Sequence, residues 1–592
     1  MKKTKVTWIS TALTILILIT SCGDMLDVKP KDQFDEGSVW GDLALMEVFV
    51  NKIYYELPHG LTQSGMSIIT DESLLNFDGG SSAITRSLTT PSDYTGWDRS
   101  DVGLQMYRWE ELYKSIRACN LFLQRVEQNT FSDDAMKNRL TGEVFFLRAF
   151  NYHLLAFLYG GVPIITEPYE LTDDHLAVRN SFEETIQFIS DDLDKAAALL
   201  PLTHESSDYG RATKGAALAL KSRVLLYAAS DLYHDASWTS GYSNPELVSY
   251  IGGNRSELWA AARDAAKAVI ELNIYDLHNP SGGNVLTNDY EKVFLSKETS
   301  EDIFIRSFTA IWQGKGYWDY NPGLYQNPNG YYGWGRKTPL SQYVDSYEMS
   351  DGSKFDWTNP QHAASPYENR EPRFYANIFY DGAKWRPRPA DAVSLDPVGI
   401  IQTGYYEQPN GSWLGGLDTR NGPIADFEGT FTGYYLRKFI DPAFDPRFEV
   451  QEYPWRHIRY AEVLLNYAEA SVELGNDPDA REYLNKIRKR AGLPDNNTGG
   501  DELRESIRHE RKIELGFEGQ RYFDIRRWMI APQMLLSPSK VDIRYAVNEE
   551  KPTYSVLPIL GWEREWKDRF YFMPIRLDEI NRNKKLIQNP LY

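Results

Sequence analysis

Apolar residues recur at intervals of three and four through most of this chain, and the stripes they draw come in pairs. Leu43, Met46, Val50, Ile53 and Leu57 form one stripe, and Trp109, Leu112, Ile116, Cys119, Leu123 and Val126 form the next after a long loop. Phe145, Ala149, Tyr152, Ala156 and Tyr159 make a third, ended by Gly160, Gly161 and Pro163; Phe182, Ile186, Ile189, Leu193, Ala196 and Leu200 make a fourth, ended by Pro201. Ala217, Leu220, Val224 and Tyr227 answer to Leu258, Ala262, Ala265, Val269 and Leu272, and Ala461, Leu465, Ala468 and Val472 answer to Ala480, Leu484, Ile487 and Ala491. Each stripe is one face of an amphipathic helix, which is stable only when a neighbour covers it. The last pair spans about 34 residues, the period of tetratricopeptide repeats, and Ala461 and Ala468 let two helices approach closely. The expectation is a mainly α fold, with four tetratricopeptide-like helix pairs forming a helical stack.

Between residues 276 and 453 the stripes vanish while Gly, Pro, Asn and aromatic residues multiply. A structureless loop of that size does not fit inside a compact domain, so a large, irregular, loop-rich insertion is expected to pack on the stack. One domain over 22–592 then comprises helical repeats at about 36–275 and 454–530, a ligand-side insertion at about 276–453 and a C-terminal cap at 531–592. The chain carries 16 Trp, 38 Tyr and 26 Phe, and "GYWDYNPGLYQNPNGYYGWG" at 316–335 concentrates them on turn-forming backbone. Rings carried that way either plug a core from outside or face a ligand, and the stretch is expected on or near the surface. In "LRESIRHERKIELGFEGQRYFDIRRW", after Asp501, charges at helical spacing read as an ion-pair lattice on one charged helix.

Lys2, Lys3 and Lys5 precede an apolar run from about Val6 to Ile19, the layout of a signal peptide over 1–21, and "ITSC" places Cys22 where a lipoprotein cysteine is cut free and acylated. The chain has two cysteines and Cys119 sits in an apolar stripe, so no disulfide framework is expected. The formal charge is -19, and removing the three signal lysines makes it about -22 (-19 minus 3). Such a surface repels phosphate backbones, so nucleic acid is not an expected partner. No HExxH, CxxC, GxSxG, P-loop or dinucleotide fingerprint occurs, and the nine His lack metal-ligand spacing; no cofactor or metal is expected. A pair of carboxylates placed by the fold would leave no trace in sequence spacing.

Six segments carry a resemblance: "SCGDMLDVKPKDQF" with Trp40, "GEVFFLRAFNYHLLAFLYGGVPIITEP", "RATKGAALALKSRVLLYAA", "IRYAEVLLNYAEASVELG", "IRHERKIELGFEGQRYFDIRRW" and "FYFMPIRLDEINRNKKLIQNPLY". Their content and order resemble the SusD/RagB family of Bacteroidota along almost the whole mature chain. The resemblance implies a non-enzymatic outer-membrane lipoprotein, exposed at the cell surface, that binds a glycan and docks as a lid on a SusC-like TonB-dependent transporter. Asp24 and Asp27 after Cys22 fit the acidic export signal of such lipoproteins. Two alternatives stay open: a peptide ligand, as in the RagB branch, and a surface glycoside hydrolase or lyase. Glycans lay CH faces on Trp and Tyr rings, which makes Trp312, Trp318 and Tyr320 the first ligand candidates, with Tyr331 and Trp334 beside them. "NPNGYYGWGRKTP" also resembles a scaffold run of the family, which gives Trp334 a structural reading as well. Arg86, Tyr94, Trp97 and Asp98 lie where family members often carry binding residues.

Overall fold

A computed structural model describes residues 40–99, 103–169, 176–235, 237–279, 287–309 and 320–592. The segment expected to be a signal peptide and Cys22 lie outside the described residues, as do Trp312 and Trp318.

Among the described residues nine helices carry the stack: α1 (Leu43–Tyr55), α2 (Trp109–Gln128), α3 (Asp134–Tyr159), α4 (Phe182–Leu199), α5 (Lys214–Ala228), α6 (Arg255–Ile270), α7 (Tyr460–Glu473), α8 (Asp477–Arg490) and α9 (Gly500–Glu514). From α2 to α8 each packs on the next, and α9 lies against both α7 and α8. The step from α6 to α7 crosses the whole insertion. α1 covers both α2 and α3, so the first helix is not paired with α2 alone. Local signals fix the ends. Ser181 and Glu184 form a reciprocal capping box on α4, Thr213 caps α5, and α3 stops at Gly160 (φ 84°), where a Cβ would lie 2.3 Å from the Leu247 carbonyl oxygen. The stripes of the first three predicted pairs form the main core, with Met46, Cys119, Ala149, Leu220 and Val269 fully buried, while those of the last pair pack into two smaller clusters around Leu484 and Leu465. Burial pushes the Cys119 thiol up to about 12, which makes it an inert core hydrophobe. Among the described residues no helix is long and apolar enough to cross a membrane.

The insertion is tied together by short strands. Antiparallel β2 (Asp302–Arg306) and β8 (Trp455–Arg459) close its base, β1 (Ser73–Leu75) pairs with β3 (Lys337–Pro339), and β4 (Ile378–Phe379) pairs with β7 (Tyr435–Leu436). A four-stranded sheet runs β10 (Thr553–Pro558), β9 (Ser539–Tyr545), β5 (Tyr405–Glu407), β6 (Trp413–Gly415). The described part of the aromatic stretch is mostly interior, contrary to the surface position expected of it. Tyr320, Tyr325 and Tyr331 are buried, and Asn329 Nδ2 donates to the Thr419 and Ile424 carbonyls, so these rings plug the insertion's own core.

The charged segment after Asp501 is two helices rather than one. Phe517 (φ 64°) and Gly519 (φ 83°) turn the chain between α9 and the short helix Arg521–Arg527. Its charges do form a lattice, and the lattice is buried. Glu514 receives Arg459 Nη1 (2.7 Å), Arg373 Nη1 (2.9 Å) and Arg490. Glu301 receives Arg459 (2.9 Å) and Arg490 (2.6 Å), while Arg527 joins Glu469 (2.6 Å) to Asp524 (2.9 Å). Burial alone would raise the Glu514 carboxyl; Arg490, Arg459 and Arg373 hold it well below the usual range. Arg373 and Glu301 belong to the insertion and the other members to the stack or its flanks, so the lattice joins the two parts.

Histidines in this interior carry a pH dependence. Burial, with Arg223 adding to it, holds His153 down at about 3. A depressed histidine takes its proton only in the unfolded chain, so stability is lost as pH falls from about 6.5 towards that value. His153→Gln is expected to flatten the acid limb of unfolding free energy against pH by about 1.4 kcal/mol per unit between about pH 4 and 5.5, read by urea titrations. An unchanged slope would show that His153 is protonated in the fold.

Candidate functional site

A run of hydrogen bonds assembles one aromatic face from segments far apart in sequence. Asn76, just after β1, donates from Nδ2 to the Trp334 carbonyl (2.6 Å) and to the Glu428 carbonyl (3.2 Å). Its Oδ1 accepts from Arg336 Nη1 (3.1 Å), which also pairs with Glu428. The Arg336 guanidinium carbon lies 4.7 Å from both the Phe77 and the Trp334 ring centroids, wedged between them. Arg420 donates to the Asn76 carbonyl (3.2 Å) and stands 5.4 Å from the Phe427 ring and 4.1 Å from Phe431. Phe431 in turn meets Trp562 at 5.5 Å.

Of these rings Phe427 is 62% exposed, and Phe77, Trp334, Phe431 and Trp562 are half-buried. Phe427 is lifted outward by a turn in which Ala425 takes left-handed backbone (φ 41°, ψ 50°), a conformation that costs a residue with a side chain about 1 kcal/mol or more. The face therefore offers flat apolar ring surfaces beside guanidinium, amide and carboxylate groups. That set suits a ligand with CH faces and hydroxyls. Of the carboxylates here, Glu428 is paired with Arg336.

Two residues singled out in the sequence converge on this face. Trp334 is part of it, and exposed Arg86 acts electrostatically on Glu563, next to Trp562. The others go elsewhere. Trp97 is 2% exposed and set edge-on to Tyr522 at 6.2 Å, so it is a core ring. Tyr331 is fully buried under Arg388 (4.2 Å) and donates to the Arg386 carbonyl (2.9 Å), which leaves it no face for a ligand. Asp98 is clamped by Arg108 (2.6 Å) and Arg576 (2.7 Å) at the C-terminal segment, beside Tyr94, whose hydroxyl donates to the Pro574 carbonyl. Tyr320 is 3% exposed, in the wall of a separate cavity.

Phe77, Phe427, Phe431, Trp562 and Arg420 were missed by sequence reasoning. "TRNGPIADFEGTFTG" at 419–433 has the same signature as the stretch at 316–335, rings on Gly-rich turn backbone, and was the available signal for Phe427 and Phe431.

Models of two protein families match the chain: that of the SusD family over residues 300–592, and one described as "Starch-binding associating with outer membrane" over residues 24–226. SusD-like protein P38 of Formosa agariphila is 24% identical over 550 residues, spanning 87% of this chain and 91% of that relative. The crystal structure of a SusD-like protein from Bacteroides fragilis has a TM-score of 0.75 at 29% identity, over 95% of this chain and 100% of that one. Another from Bacteroides fragilis, described as a SusD-like carbohydrate binding protein, has a TM-score of 0.69 at 22% identity, over 93% of this chain and 100% of that one.

Proposed function

Because the chain belongs to the SusD/RagB family, we propose that it is a cell-surface lipoprotein that captures oligosaccharides or polysaccharides unaltered and hands them to a SusC-like TonB-dependent outer-membrane transporter, which it covers as a lid. The observation that carries the glycan part is the ring face built on Phe77, Trp334 and Phe427, with Arg420, Arg336 and Asn76 among the rings. Each ring laid on a sugar contributes on the order of 1 kcal/mol, so affinity comes from several rings acting together with polar groups. The family model described as associating with the outer membrane and the lipoprotein layout at Cys22 support the location.

Phe427→Ala combined with Phe77→Ala is expected to weaken glycan binding at least tenfold, about 1.4 kcal/mol, with the thermal midpoint nearly unchanged. A glycan array beside a peptide panel selects the ligand and titration calorimetry reads the loss. Retention of peptides alone would favour a RagB-type ligand. Release of shorter sugars, seen by mass spectrometry, would make the protein an enzyme.

A further inference from the structure

A cavity of about 720 Å³ lies between the end of α1, the loop at 207–211 and the end of β2, and none of the ring face's residues lines it. We propose that it is a second ligand site, which holds a short neutral oligosaccharide such as the end of a glycan chain; the ligand class rests on the glycan-binding reading, while the site does not.

Its volume falls in the range of small-molecule sites, about 300–1,000 Å³. Three of its rings have accessible faces: Tyr55 is 59% exposed, and Tyr209 and Phe308 are half-buried. They are held in place before any ligand arrives. Phe308 stacks on Tyr320 at 3.9 Å with the planes 4° apart, and Tyr320 is fixed by donating to the Tyr453 carbonyl (2.6 Å). The Arg306 guanidinium lies 5.5 Å from the Tyr55 ring and 5.0 Å from Phe308. Rings preset in this way lose little entropy when a sugar stacks on them.

Both guanidiniums of the lining are engaged within the protein, Arg306 by donating to the Leu57 carbonyl and lying over two rings. Arg211 already meets Glu143 (2.8 Å), Asp208 (2.9 Å) and Glu47 (3.1 Å), so its charge is not available to a sulfate or uronate. In the wall His59 is 3% exposed, and among the described residues its Nδ1 has no hydrogen-bond partner. Burial, reinforced by Arg306, pulls its pKa well below 6.5, so the ring adds no charge to the wall. Among the described residues Asp208 is the one carboxylate of this lining. A smaller cavity of about 310 Å³ shares Tyr209, Gly210, Arg211 and Ile305 with it. The two cavities therefore lie side by side at this loop.

Titration calorimetry of the full mature chain with neutral di- and trisaccharides of glucose, galactose, mannose and xylose tests the assignment. At least one is expected to bind with a Kd below about 1 mM and to lose at least tenfold in Ser207→Trp, which fills the cavity from an exposed position, and in Tyr55→Ala. The same sugar should keep its affinity within about twofold in Phe427→Ala. Thermal midpoints within a few degrees of the parent establish that both cavity variants fold. Loss of binding in Phe427→Ala but not in Ser207→Trp overturns the second site. So does failure of every short sugar to bind while long glycans still do, or Ser207→Trp-sensitive binding of tri- and tetrapeptides in their place. If no glycan of any length binds, the glycan-binding reading itself falls.

Discussion

Glu514→Gln is expected to lower the free energy of unfolding by about 3–5 kcal/mol, the cost of leaving buried charges without their partner. Glu514 is fully buried and receives three guanidiniums, from Arg373, Arg459 and Arg490. The amide keeps the volume but removes the charge, so three cations remain in a dry interior with Glu301, Glu371, Glu510 and Glu518 as their other partners. Glu505→Gln on the same helix is the control. Its side chain is 70% exposed and pairs with Arg508 at the surface, so it should change stability by no more than about 0.5 kcal/mol. Chemical denaturation of the two variants reads the difference. A loss below about 1 kcal/mol for Glu514→Gln would mean that the lattice redistributes its charge and does not need this residue. Since the lattice joins stack to insertion, limited proteolysis of the variant should cut first within 307–454.

Replacing Cys22 by Ala should remove the protein from the membrane fraction almost completely, and leave a soluble protein that still binds ligand. Acyl chains on this cysteine would contribute roughly 0.8 kcal/mol per buried methylene, so two or more chains anchor the protein stably. Among the described residues no helix can cross a membrane in their place. The fractionation belongs in cells that lack the proposed SusC-like partner, since a transporter bound to the protein would retain the variant by itself. Membrane retention there would refute the anchor. Loss of ligand binding in the released protein would show that the cysteine serves more than attachment.

The helical half of this fold was legible because its signal is local. Each stripe, such as Phe182 to Leu200, repeats over about five turns, and caps such as Ser181 with Glu184 mark its start within four residues. The reading of Arg511, Glu514 and Arg527 as ion-paired needed only helical spacing; the partner Arg373 of Glu514 did not follow, because it comes from a region without period. The break at Phe517 to Gly519 was hidden because the charge pattern runs on across a turn. The site was less legible for the same reason. Composition identifies rings on loops, but burial decides which of them can meet a ligand. Tyr331 and Trp334 sit three residues apart on the same backbone turn, yet one packs inward beneath Arg388 and the other shares Arg336 with Phe77. No one-dimensional pattern separates them. Phe77, Phe427 and Trp562 become neighbours only through Asn76, Arg420 and Phe431, contacts spanning hundreds of residues.

Strands β2 and β8 bring the two ends of the irregular region side by side, with Asp302 opposite Arg459 and Arg306 opposite Trp455. Everything from residue 307 to 454 therefore leaves and re-enters the helical stack at one doorway, latched by the buried Arg456–Asp302 pair (2.5 Å). Lengthening a loop whose ends are already held together costs little, about 0.6 kcal/mol for each doubling. Loops inside the module can therefore be lengthened or exchanged at little cost to the scaffold, provided that Arg373 and the strands that tie the module to the rest of the chain are kept.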